Sequence, residues 1–130
     1  MYTSTGRLIY DPRRPGLKEK TKWWCVLLVD REITRWCRWW VKKEHWIDLC
    51  QPSWDAHVSV IRGEKPHDEQ MHLWRKYHGK VFEFKYSNRV VQNGNFWLVK
   101  VEAPELKAIR EEFGFPSNWS LHLTIGRTWY

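Results

Sequence analysis

The chain predicts a single α+β domain built from two similar halves, and three observations carry this. A phrase of histidine, apolar, hydroxyl, apolar occurs twice, as His57-Val58-Ser59-Val60 and His122-Leu123-Thr124-Ile125. Each phrase is preceded by an apolar strand-like run and then a helix-like run, so the order strand, helix, strand with histidine is repeated. The chain of 130 residues has room for one sizeable core, which assigns residues 1–130 to one domain.

The elements follow from periodicity. Leu8-Ile9-Tyr10 reads as a short strand, closed by Asp11-Pro12 and the basic loop Arg13-Arg14-Pro15-Gly16. Trp23 to Asp30 is a buried strand. Ile33, Trp36, Cys37, Trp40 and Val41 recur at helical spacing, which predicts a helix from Glu32 to Trp46 with Trp36 and Trp40 in the core. A loop with Pro52 leads into the strand Ala56 to Arg62. The polar segment His67 to Tyr77 is read as a helical turn. Phe82, Phe84 and Tyr86 alternate with Glu83 and Lys85, as a strand with two different faces does. Asn93-Gly94 between apolar runs marks a hairpin. Pro104 opens a second helix, Gly114 ends it, and Leu121 to Thr128 is the last strand. A pseudo-two-fold arrangement of these halves brings the two histidine strands together across one groove.

Composition narrows the partners. Eleven tryptophans, five tyrosines and five phenylalanines supply large buried area and rings that can stack on bases. Twenty-two Lys and Arg against fifteen Asp and Glu give a net charge of +7, which favours nucleotides and nucleic acid as ligands. The cysteines Cys25, Cys37 and Cys50 are odd in number and irregularly spaced. That fits neither a disulfide framework nor a zinc site, so reduced thiols in a cytoplasmic protein are expected. Met1 to Gly16 lacks the apolar stretch of a signal peptide, and the longest apolar run, Trp23 to Val29, is too short to span a membrane. The expectation is a monomer with no membrane association, no metal and no cofactor. His45, His67, His72 and His78 are read as solvent-exposed, and Arg35, Arg38, Lys42 and Lys43 as the solvated face of the first helix.

The repeated phrase carries the chemistry. In a strand, residues i and i+2 share a face, so His57 lies with Ser59, and His122 with Thr124. One imidazole can take a proton and the other can give one, since histidine titrates near working pH. Ser59 and Thr124 can donate to the non-bridging oxygens of a phosphodiester as charge redistributes. A lone strand histidine is more often structural; the matched pair favours catalysis. Arg62 and Arg127 stand five residues after each histidine and are candidates for phosphate. In a regular strand they would face away, so a bulge or a strand end is required. Tyr10, Trp54, Trp129 and Tyr130 are candidates for stacking on a base.

These two motifs resemble those of the 2H phosphoesterase superfamily, the LigT-like proteins, over roughly Trp23 to Arg127. The resemblance implies a bilobal fold: two pseudo-symmetric strand-helix-strand lobes with antiparallel sheets around a central groove. It also implies a metal-independent phosphodiesterase with His57, Ser59, His122 and Thr124 as the catalytic set. The family includes enzymes that open 2′,3′-cyclic phosphates, that process or join RNA ends, and that cleave 2′–5′ or cyclic oligonucleotides. Compact viral members degrade cyclic-nucleotide messengers of host defence, which would place this chain in a host cytoplasm. The continuations Arg62-Gly63-Glu64-Lys65 and Gly126-Arg127 are not general to the family. The other readings are a non-catalytic module that binds RNA or nucleotides, and an enzyme that processes or joins RNA ends.

Overall fold

The computed structural model describes residues 1–16, 21–116 and 118–128. In chain order the elements are β1 (Tyr2–Tyr10), β2 (Trp24–Leu28), α1 (Arg31–His45), β3 (His57–Arg62), a 3-10 helix (Asp68–Leu73), β4 (Val81–Tyr86), β5 (Val91–Asn93), β6 (Phe96–Glu102), α2 (Pro104–Glu112) and β7 (His122–Arg127). All strand pairs are antiparallel, in the order β4-β1-β2-β3-β7-β6-β5, and a β4–β6 pairing closes the sheet into a barrel. The edge of β6 away from β7 is divided, with β5 on Phe96–Leu98 and β4 on Val101 and Glu102. The two halves therefore share one sheet instead of forming two separate ones. They meet where β3 pairs with β7 at Val58 and Leu123.

Local chemistry sets the boundaries. Asp30 caps α1 by accepting the backbone N–H of Glu32 at 2.9 Å, and Trp46 ends it in the left-handed region. Pro104 sits in the first turn of α2. Gly94 takes a positive φ in the tight β5–β6 hairpin, which glycine adopts without penalty. Val58, Val60, Leu123 and Ile125 point into a core with Leu8, Leu27, Val99, Ile33, Leu106 and Phe113. The helices reach across the molecule: α1 packs on β7 and α2 on β3. Among the described residues, no helix is long and apolar enough to cross a membrane.

Two elements differ from the sequence expectation. β1 runs for nine residues, not three. Its first part, Tyr2-Thr3-Ser4-Thr5-Gly6-Arg7, has little apolar signal, and it is held as a strand by its ladder to β4. The tryptophans of α1 are not core. Ile33, Thr34, Cys37 and Val41 fill the buried stripe, while Trp36, Trp39 and Trp40 stay more than a third exposed. They pack edge to face against one another, and Trp36 packs likewise on Tyr2. Helical spacing marks a stripe but does not limit its width, and among the described residues little covers the outer half of this stripe beyond Tyr2.

Candidate active site

The two histidine strands are built alike, pair for pair. In one half Leu28 faces His57, Leu27 faces Val58 and Val26 faces Ser59. In the other Lys100 faces His122, Val99 faces Leu123 and Leu98 faces Thr124. The register then shifts at the same place in both. Cys25 faces Ile61, skipping Val60, and Trp97 faces Gly126, skipping Ile125. Each skipped residue is a bulge three positions after its histidine, and a bulge reverses the alternation of faces beyond it. Val60 and Ile61 are both buried, as are Ile125 and Gly126, and the next residue returns to the histidine side. That residue is Arg62 in one strand and Arg127 in the other. Of the two devices that the spacing allowed, a bulge or a strand end, both strands use a bulge.

Each bulge is held by an arginine from the opposite half. Arg38 of α1 donates to the carbonyl of Ile125 at 2.8 Å, and Arg110 of α2 donates to the carbonyl of Val60 at 2.9 Å. Arg38 is thus committed to β7 and is not part of a solvated face. Arg110 is 1% exposed. Its charge is met by both carboxylate oxygens of Glu64, at 2.6 and 2.8 Å, by the Pro116 carbonyl and by the rings of Phe115 and Trp119. Gly126 lets Arg38 in. A Cβ there would lie 2.9 Å from the Cys50 carbonyl and 3.1 Å from the Arg38 stem.

The imidazoles are oriented by the same device. His57 Nδ1 lies 2.8 Å from the Asp55 carbonyl and His122 Nδ1 lies 3.3 Å from the Ser120 carbonyl, two residues back in each case. A carbonyl only accepts, so in each ring Nδ1 carries the proton and Nε2 is left for chemistry. The antiparallel register at Val58 and Leu123, carried one residue either way, sets His57 beside Thr124 and Ser59 beside His122. All four then share one face. The hydroxyl of Ser59 accepts from the indole N–H of Trp24 at 3.1 Å, so its own proton is free to be donated elsewhere.

His57 and Thr124 line a pocket of about 250 Å³ with Arg14, Arg62, Arg127 and Trp54. Trp54 and Trp24 pack on the His57 ring at 4.7 and 5.8 Å between centroids, and the Arg62 guanidinium lies over Trp24. Burial holds the pKa of His57 below its ordinary value of 6.5. The hydrogen bond to Asp55 opposes this, and the charges of Arg14, Arg62 and His122 reinforce it. A folded pKa below the unfolded one means that the unfolded chain takes the proton first as pH falls. The stability tied to neutral His57 is complete above about pH 6.5 and is lost as pH falls through the folded value. An NMR titration of the His57 ring is therefore expected to give a midpoint below 6.5; a midpoint at or above that value would refute this environment.

The structure thus gathers His57, Thr124, Arg62, Arg127 and Trp54 around one pocket, while Ser59 and His122 sit on the same sheet face by register without lining that pocket. Tyr10 is a correction. It is 1% exposed and packs on Trp74 in the core, so it offers no face to a base. Trp129 and Tyr130 lie outside the described residues. Sequence reading missed Trp24, Arg14 and Phe96, which reach the site only through the sheet register and the loop before β2. The other histidines, His45, His67, His72 and His78, are all exposed, and the His78 ring in addition accepts the backbone N–H of Tyr10 at 3.1 Å. No group of three or more metal-ligating side chains occurs among the described residues. No family model matches the chain, and no curated protein or solved structure does so either.

Proposed function

We propose that this chain is a two-histidine phosphodiesterase of the 2H type, acting on cyclic or 2′-linked nucleotides. The observation that carries the reading is the matched pair of strands. Each ties its imidazole by Nδ1, carries a hydroxyl on the same strand face two residues on, and turns an arginine to that face through a bulge at the same position. The like construction of the two halves supports the bilobal 2H arrangement within the shared sheet.

In the proposed mechanism, His57 is the base, because its surroundings favour the neutral ring. Its Nε2 takes the proton of the attacking water or 2′-hydroxyl as the new P–O bond forms. Nε2 of His122, entering as imidazolium, gives its proton to the oxygen that leaves. Ser59 and Thr124 donate to the non-bridging oxygens, and Arg62 and Arg127 neutralise their charge. A second proton transfer between the rings and solvent restores the starting state. Cyclic oligonucleotide messengers and 2′,3′-cyclic phosphate ends are the substrates that this scheme suits.

The test is hydrolysis of a panel of 2′,3′-cyclic mononucleotides, cyclic dinucleotides and cyclic trinucleotides, with chelator present. Turnover of at least one, undiminished by chelator, is expected. A well-folded protein that turns over none of them and binds RNA with strong salt dependence would be a binding module instead.

A further inference from the structure

A second, larger cavity adjoins the histidine pocket and has no part in the proposed chemical steps. It measures about 850 Å³ and shares the ridge Pro52-Ser53-Trp54 with the smaller pocket. Among the described residues, Arg13, Arg31, Arg35 and Arg38 line it against the carboxylates of Glu32 and Asp55. Four guanidiniums against two carboxylates leave a positive surplus. The pairs that exist are loose: Arg31 with Asp55 at 3.2 Å and Arg35 with Glu32 at 3.5 Å, all on exposed side chains. Pairs of this kind contribute little, so both arginines can turn to a better anion.

The two cavities are also joined through the chain. Arg13 lines the large one and its neighbour Arg14 lines the small one. Trp54 lines both together with Pro52 and Ser53, so this ridge lies between the two basic chambers. The smaller pocket, at about 250 Å³, falls below the usual range for a site that encloses a drug-sized ligand, roughly 300–1,000 Å³. It has room for the reacting phosphate and its sugar, and the rest of a nucleotide must lie elsewhere.

We infer that the arginine cavity takes a second phosphate of the same substrate, with a base lying on Trp54 between the two. Resting on the phosphodiesterase reading, this narrows the substrate to an oligonucleotide, linear or cyclic, and makes a cyclic mononucleotide a poor one. Forked guanidiniums suit a phosphate, and a ring between two phosphate sites suits a base of any identity.

Binding without turnover tests it. The His57→Ala/His122→Ala protein is titrated calorimetrically with a 2′–5′-linked adenosine dimer, which has one phosphate, and with its 5′-phosphorylated form, which has two. The second phosphate is expected to tighten binding by about tenfold, as one charge-assisted hydrogen bond of ~1.5 kcal/mol does. Arg31→Ala/Arg35→Ala in the same background is expected to remove that advantage. Both side chains are exposed, and an unchanged melting temperature checks that the fold is kept. Equal affinity for the two dimers, or an advantage that survives loss of the arginines, overturns the proposal. Arginine-dependent binding of the phosphorylated dimer by a wild type that cleaves nothing upholds the cavity and overturns the enzymatic reading.

Discussion

Arg110→Ala is expected to destabilise the protein by about 3–5 kcal/mol, the cost of removing one partner from a buried ion pair. The guanidinium is almost wholly out of water and every bond it makes is used. Its loss leaves the Glu64 carboxylate, the Val60 carbonyl and the Pro116 carbonyl without their donor. A loss of this size is a large part of the stability of a small domain. Arg110→Lys is expected to recover little. One ammonium cannot hold both oxygens of Glu64 and two carbonyls, and it lacks the flat face that lies against Phe115 and Trp119. Urea unfolding of the three proteins measures this, and a cost below 1 kcal/mol for Arg110→Ala would show that Glu64 and the bulge find other partners. Because Arg110 holds the bulge that turns Arg62 toward the pocket, affinity for a phosphodiester should fall in both variants even where they remain folded.

His57→Ala is expected to lower kcat by about 10²- to 10⁴-fold, the usual range for a positioned acid or base. Substrate affinity should change far less, since the arginines and Trp54 are untouched. His122→Ala should act similarly, and the double variant should be little worse than either single one, because the two rings serve one reaction. The wild-type rate is expected to fall on the acid side through a midpoint below 6.5, set by His57, and that limb should vanish in His57→Ala. A lowered melting temperature with turnover intact would make the histidine a packing partner of Trp54 and Trp24 and nothing more.

Much of this was legible in the chain. The repeated phrase, the order strand, helix, strand, the Asn93-Gly94 hairpin and the two helices are local signals. They depend on side-chain alternation, turn geometry and helical periodicity within a few residues, and the sequence by itself determined them. It also determined that a bulge or a strand end was needed if Arg62 and Arg127 were to join the histidines, because alternation has a fixed period of two. Tertiary structure alone decided the rest. Whether Arg38 meets solvent or the Ile125 carbonyl depends on where α1 lands, and α1 lands on β7, at the far end of the chain. Whether Tyr10 or Trp36 is buried depends on what covers it: Trp74 packs on the first, and little covers the second. Closure of the sheet through β4 and β6, and the single pair that sets the histidine strands side by side, arise from contacts between distant segments. No local periodicity encodes these, because their free energy comes from surface that is removed from water only when both partners are present.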